Sequence, residues 1–181
     1  MKRWKKISWK YILRTPWLSL RKDTYKTPIG GIINDFYIVE RPDFIVIVPQ
    51  SKDGKYILVK QYRHGLGRSV LNFPMGFVEK NETLQETAKR ELAEETKYFS
   101  GNLEYIGRLY LSPPFIKCKG HIFLARDISI IEKDKKIDDT EIEKIIFVDQ
   151  YEIEELINKK ALSDFVSVAS YYLVKNKGRH K

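Results

Sequence analysis

The stretch that decides the fold is Gly76-Phe77-Val78-Glu79-Lys80-Asn81-Glu82-Thr83-Leu84-Gln85-Glu86-Thr87-Ala88-Lys89-Arg90-Glu91-Leu92-Ala93-Glu94-Glu95-Thr96-Lys97-Tyr98. Thr83-Leu84-Gln85-Glu86 reads as a capping box, with Thr83 as N-cap and Glu86 as its reciprocal partner. Good helix formers continue to Thr96, so the pattern predicts a helix over residues 84–96. Positions i, i+3 and i+4 share a helix face, so Glu91, Glu94 and Glu95 project together. Three adjacent like charges repel, and they occupy the last turns, where the helix dipole disfavours negative charge. A divalent cation resolves both conflicts, and hard carboxylate oxygens suit Mg²⁺. The alternative for a bare Glu-x-x-Glu-Glu is a solvated acidic face paired with Arg90 and Lys89.

Outside this helix the period changes to that of strands. Residues 17–23 and 32–39 read as two strands joined by the turn Thr27-Pro28-Ile29-Gly30-Gly31. Residues 44–49 and 56–61 read as two more, with Asp53-Gly54 as a hairpin turn. A short strand at residues 71–74 ends at Pro74. Residues 104–111, 121–126 and 145–148 return to β character. Residues 151–158 and 162–174 read as helices, the latter with an apolar face of Leu162, Phe165, Val168, Ala169, Tyr172 and Leu173. Strands before and after a central helix define an α+β class, a mixed sheet with helices packed on it.

The 181 residues, 43% hydrophobic and 31% charged, suit a globular chain with a proper core. No apolar run approaches the roughly 18 residues that span a bilayer. Residues 1–20 are basic and aromatic but interrupted by Lys10, Arg14 and Pro16, unlike a secretory signal. Cys118 is alone, so no internal disulfide forms, in keeping with a reducing, cytoplasmic compartment. It reads as a small buried thiol rather than a nucleophile. The net charge is +9, and residues 1–30 carry +8 of it, nine basic residues against Asp23 alone. This is either a grip on an anionic partner, such as a phosphorylated substrate or RNA, or a solvated basic face.

The quoted stretch resembles the Nudix box: Gly, five residues, Glu, seven residues, Arg-Glu, an aliphatic, any residue, Glu-Glu, any residue, Gly, an aliphatic. Gly76, Glu82, Arg90, Glu91, Leu92, Glu94 and Glu95 all fall on it in register. Lys97 departs, standing where the family has the glycine of a helix-ending turn with positive φ. Lysine there costs on the order of 1 kcal/mol if that geometry is kept. Tyr98 is larger than the usual aliphatic.

The resemblance implies a Nudix-type α/β/α sandwich over residues 41–181, preceded by N-terminal antiparallel strands over residues 1–40. It implies that Glu91 and Glu95 are the core metal ligands, with Mg²⁺ as the metal and Mn²⁺ as a substitute. Glu94 is a further ligand or positions water, Glu82 contributes from outside, and the Met75 carbonyl is another ligand. Arg90 orients the glutamates. The chemistry is in-line attack of water on one phosphorus of a diphosphate.

The flanks resemble the ADP-ribose and nucleoside-diphosphate-sugar pyrophosphatase branch. Gln61-Tyr62-Arg63 closes a strand before the box, which makes Arg63 a diphosphate-binding residue; otherwise it is a surface arginine at a strand end. Pro114, in Ser112-Pro113-Pro114-Phe115, lies sixteen residues beyond Tyr98, where the branch keeps a proline. Pro114 also replaces the usual glycine of that loop and stiffens it. The acidic run at residues 138–143 stands where the branch supplies a catalytic glutamate. Glu141 is the expected base, Asp139 the alternate, and a solvated acidic turn the competing reading.

Trp17 and Phe36 are candidates to sandwich an adenine, although core or dimer packing competes. Arg41 is a candidate to hold the nucleotide, and the N-terminal strands typically make a homodimer. Asn72-Phe73-Pro74-Met75-Gly76 stands where the branch has Glu-Leu-Pro-Ala-Gly, so Asn72 removes a carboxylate and Met75 adds bulk. The expected activity is hydrolysis of ADP-ribose or a related sugar nucleotide, giving AMP and a sugar phosphate. An RNA 5′-end pyrophosphohydrolase and a non-catalytic ADP-ribose-binding module are the alternatives, with neither membrane nor nucleic acid expected as a partner.

Overall fold

The computed structural model describes residues 3–131 and 141–177. In chain order its elements are β1 (Lys5–Arg14), β2 (Ser19–Lys26), β3 (Ile32–Glu40), β4 (Phe44–Pro49), β5 (Tyr56–Arg63), β6 (Arg68–Asn72) and β7 (Met75–Phe77). Then follow α1 (Leu84–Thr96), β8 (Tyr98–Phe99), β9 (Asn102–Tyr110), β10 (Ile116–Lys117), β11 (Lys119–Arg126) and β12 (Ser129–Ile130). The chain finishes with β13 (Ile142–Val148), α2 (Gln150–Asn158) and α3 (Phe165–Lys177). They form two compact units: Met1–Asp43 with Leu109–Lys119, and Phe44–Arg108 with Gly120–Lys181.

The first unit is built on a sheet of order β1-β2-β3-β10. The expected turn joins β2 to β3, with the Thr27 N–H donating to the Gly31 carbonyl at 2.8 Å. β10 lies parallel to β3, pairing Ile116 with Val39 and Lys117 with Glu40. β1 was not expected. It pairs antiparallel with β2, Trp9 opposite Asp23 and Lys10 opposite Lys22. All ten of its residues are exposed, so no alternation of buried and exposed positions marks it in the sequence.

The second unit has an α/β/α arrangement. Its sheets run β7-β4-β11-β9, β13-β5-β6 and β12-β8, and β4 pairs parallel with β11 but antiparallel with β7. Alternation along the strands supplies the two packing faces. Ile45, Ile47 and Ile57 pack with Phe123 and Ala125 beneath Ala88 and Leu92 of α1. On the opposite side, Tyr56 meets Tyr171 of α3 edge-on at 5.6 Å.

Two elements depart from the sequence pattern. The Asp53-Gly54 turn forms, with Gly54 at φ 83°, but apart from the bridge between Gln50 and Tyr56 the flanking strands diverge into different sheets. β4 pairs instead with β11 and β7, and β5 with β13 and β6. The last helix begins at Phe165, and its buried residues are Ser167, Ser170 and Tyr171, while Phe165, Tyr172 and Leu173 are exposed. Polar anchoring outweighs the apolar stripe: the Phe73 N–H donates to Ser167 Oγ at 3.0 Å, and the Tyr171 hydroxyl donates to Glu154 at 2.7 Å.

Candidate active site

α1 starts as the capping box requires. The Glu86 N–H donates to Thr83 Oγ1 at 3.2 Å, and the Thr83 N–H donates to Glu86 at 2.8 Å. It ends on Lys97 at φ 61° and ψ 18°, the left-handed conformation foreseen for that position. Between these caps the helix lays its acidic face against β7. The Met75 N–H donates to Glu95 Oε2 at 3.1 Å. The Glu91 carboxylate lies so close to Gly76 that a Cβ at residue 76 would overlap it.

Arg90 is the hub of the acidic face. Its Nε donates to Glu82 at 2.8 Å, its Nη1 to Glu91 at 2.7 Å and to Glu94 at 3.1 Å, and its Nη2 to the Phe77 carbonyl at 3.2 Å. The Arg90 hydrogen bond holds the Glu82 carboxyl down at about 2. Burial pushes Glu91 up, against the opposing pull of Arg90. Burial, reinforced by the Glu91 charge, pushes Glu95 up to about 8. Two carboxylates are thus held where their negative charge is costly.

β5 brings the remaining groups. Ile57, Val59, Gln61 and Arg63 alternate onto the face that meets α1. The half-buried Arg63 guanidinium favours the ionised form of Glu95, whereas Glu141 opposes it. Gln61 Nε2 donates to Glu141 at 3.0 Å, and the Tyr62 N–H donates to the Glu141 carbonyl at 3.0 Å. Glu91, Glu94, Glu95, Glu82, Arg90, Met75, Arg63 and Glu141 therefore belong to one unit and one cluster of elements. Asp139 lies outside the described residues. Gln61 joins this cluster without having been expected in the site, whereas Asn72 was expected at its edge in place of a carboxylate. The signal for Gln61 was a polar residue on the inward side of an otherwise apolar strand.

Among the described residues, no group of three or more carboxylate, His or Cys side chains is preassembled around a metal position. Arg90 occupies Glu91 and Glu94, and Met75 occupies Glu95. The donors nevertheless fit Mg²⁺, which uses one or two carboxylates and keeps several waters rather than needing an all-protein cage. All are hard oxygens, and the buried pair Glu91 and Glu95 lacks sufficient counter-charge.

Arg41, Trp17, Phe36 and Pro114 belong to the other unit. There the β3–β10 pairing brings Arg41 to the turn after β9. The Arg41 N–H donates to the Lys117 carbonyl at 3.3 Å, and Arg41, Asp43, Tyr110, Pro113 and Lys117 line a cleft of about 530 Å³. Pro114 is exposed in the turn closed by the Phe115 N–H on the Ser112 carbonyl at 3.3 Å. Trp17 and Phe36 do not face each other: Phe36 pairs with Asp23, while the largely exposed Trp17 precedes Ser19 at the far end of β2. Phe36 packs edge-on against Tyr25 at 5.6 Å. Cys118 is buried as expected, with Sγ 3.1 Å from the Pro42 carbonyl, and burial raises its thiol.

The NUDIX domain family matches residues 39–168. The ADP-ribose pyrophosphatase of Bacillus subtilis (strain 168) is 34% identical over 127 residues, covering 70% of this chain and 69% of that protein. The methanol dehydrogenase activator of Bacillus methanolicus is 28% identical over 166 residues, covering 91% and 89% respectively. A crystal structure of ADP compounds hydrolase matches with a TM-score of 0.81 at 21% identity, over 99% of this chain and 97% of that one, a likeness of fold. A Nudix-type sandwich carrying the box on its central helix is the class that fold and site define. The chain belongs to the Nudix family and is a Nudix hydrolase.

Proposed function

We propose that this enzyme hydrolyses the diphosphate of ADP-ribose or a related ADP-sugar with Mg²⁺, releasing AMP and a sugar phosphate. The observation that carries the reading is the joint placement of Glu91 and Glu95 against the backbone of Met75 and Gly76, with Arg63 at the end of β5 and Glu141 just ahead of β13. Glu91, Glu95 and the Met75 carbonyl would hold the metal, with Glu94 and Glu82 contributing. When bound, Mg²⁺ lowers the pKa of water and screens charge on the diphosphate oxygens. Arg63 binds the diphosphate by charge-assisted hydrogen bonds. Glu141, oriented by Gln61, takes the proton of the attacking water. Arg90 keeps Glu82, Glu91 and Glu94 in register.

Arg41 and the Pro114 turn are the candidates to hold a nucleotide. The adenine sandwich would then draw Trp17 and Phe36 from two copies. Exposed Trp4, Ile7, Trp9, Ile12 and Leu13 on or beside β1 support a homodimer, since a long apolar edge strand left open invites aggregation. The lone Cys118 suits a cytoplasmic location.

The test is incubation with ADP-ribose and Mg²⁺, with ADP-glucose, GDP-mannose and capped and triphosphorylated RNA in parallel. AMP from ADP-ribose is the expected product. No product from any member overturns the reading. Cleavage confined to RNA would favour an RNA 5′-end pyrophosphohydrolase, for which the facing lysines Lys10–Lys22 and Lys5–Lys26 are the specific observation.

A further inference from the structure

Among the described residues, five buried side-chain polar atoms lack a hydrogen-bond partner, and three of them belong to Asn72 and Gln61. Both Asn72 Oδ1 and Asn72 Nδ2 are unpartnered although the residue is 0% exposed. Gln61 is 5% exposed, and its Nε2 is used by Glu141 while its Oε1 has no partner. Leaving such atoms unmatched in a closed interior costs free energy, and an apolar side chain of the same size would avoid that cost. Val70, Val59 and Ile57 show that the two strands otherwise carry apolar residues here.

The two amides are neighbours. Asn72 of β6 pairs with Val59 of β5, and Gln61 pairs with Val70. Residues two apart on one strand share a face, so Asn72 and Gln61 stand diagonally on the same face. That face meets α1, because Ile57 on it packs with Leu92 and Ala88. Chain connectivity narrows the position further. Three residues beyond Asn72, the Met75 N–H binds Glu95. On the other side, Gln61 binds Glu141, whose charge acts on Glu95. The unmatched amide atoms therefore lie between the Glu95 end of α1 and the Glu141 end of β13.

We propose that Asn72 and Gln61 form an amide shelf that accepts hydrogen bonds from the waters of a hydrated divalent cation held by Glu91, Glu95 and the Met75 carbonyl. The inference rests on the metal-dependent reading of the site given above. A hydrated Mg²⁺ presents strongly polarised O–H donors, and a site with few protein ligands leaves many of them to be matched by outer groups. Amide oxygens accept these bonds without adding a further negative charge to the five carboxylates Glu82, Glu91, Glu94, Glu95 and Glu141. Asn72 is in this view a positioning residue that sets metal affinity, acting through water.

The test is Mn²⁺ binding by the full chain, measured by titration calorimetry alongside metal-free thermal unfolding. Asn72→Leu removes both unmatched atoms at nearly constant size. It is expected to weaken Mn²⁺ binding by roughly 10–100-fold while leaving the metal-free Tm unchanged or higher. A merely structural asparagine would instead lower the Tm and leave the Kd in place, and that result overturns the proposal. Asn72→Asp, which keeps the shape and adds a charge, is expected to bind Mn²⁺ more tightly than the parent; equal or weaker binding also overturns it. If the parent chain binds no Mn²⁺, the metal-dependent reading itself falls, whereas parent binding with an unaffected Asn72→Leu variant removes the shelf alone.

Discussion

The Glu91 carboxylate occupies the space where a side chain on Gly76 would begin. Gly76 has no positive φ, so its role is room rather than backbone freedom. The group in the way is the far end of a flexible side chain, which swings aside more readily than backbone moves. Gly76→Ala is therefore expected to fold, losing about 1–3 kcal/mol as an overpacked site does. Its loss of hydrolysis should exceed what that stability loss explains, because Glu91 is displaced from its place against residue 76. Thermal unfolding and steady-state kinetics check this; a variant with ordinary kcat and KM would sink it.

Glu95 is buried and held with its charge disfavoured, yet one of its oxygens serves the Met75 N–H. Glu95→Gln keeps an acceptor for that N–H and removes the charge. The variant should melt higher than the parent in EDTA. If Mg²⁺ binds as proposed, it raises the parent's Tm, because binding to the folded state alone stabilises it, and the variant should lose that rise. Turnover should fall by at least about 100-fold, since even outer partners of a metal commonly cost 10–100-fold. A variant that melts lower in EDTA, or that keeps its turnover, contradicts this assignment.

Lys97 ends α1 in the left-handed region, its N–H donating to the Ala93 carbonyl at 3.1 Å. It is exposed and carries no side-chain partner in the acidic cluster. A glycine there escapes the clash between Cβ and carbonyl, so Lys97→Gly is expected to stabilise the chain by up to about 1 kcal/mol. Turnover should not change. Urea unfolding and the ADP-ribose assay measure the two effects separately; destabilisation would show that Lys97 does more than close the helix.

The legible parts of this fold were those written locally. The capping box, the helix over residues 84–96 and the strained Lys97 follow from neighbours in sequence. The illegible parts depended on partners far along the chain. Among them, β1 has no inward face, and an alternation signal arises only where one side is buried. The face of α3 was hidden because Ser167, bonded by Phe73, and Tyr171, bonded to Glu154, are buried with Ser170 in place of the apolar stripe. In the site, the box named its own residues and its flank marked Asn72 as a missing carboxylate, whereas Gln61 and the unmatched amide of Asn72 gain meaning only when β5 and β6 pair and α1 covers them. A buried amide looks like any other asparagine until its surroundings are known.

The N-terminal unit has its own polar core in Asp23, which is fully buried. Arg21 Nε donates to it at 2.7 Å and Nη2 at 2.9 Å, and the Tyr25 hydroxyl donates at 3.0 Å. Burial alone would raise this carboxyl, but the hydrogen bonds from Arg21 and Tyr25 outweigh it and hold it below the ordinary 3.8. A carboxyl depressed in the folded state contributes stability that is present above its unfolded value and lost as pH falls through the folded one. Asp23→Asn leaves Arg21 short of a counter-charge, though Glu40 remains at 2.5 Å. The expected cost at pH 7 is about 3 kcal/mol, the low end for breaking a buried pair. The difference between parent and variant should shrink below about pH 4 and vanish once Asp23 is protonated. The three tryptophans, Trp4, Trp9 and Trp17, all lie in this unit, whereas α1, α2 and α3 lie in the other. Tryptophan fluorescence therefore reads the N-terminal sheet, and the helical circular dichroism signal reads the catalytic unit. At pH 7 the fluorescence midpoint should drop further than the helical one; equal midpoints in parent and variant would show that the Arg21–Asp23 pair contributes nothing.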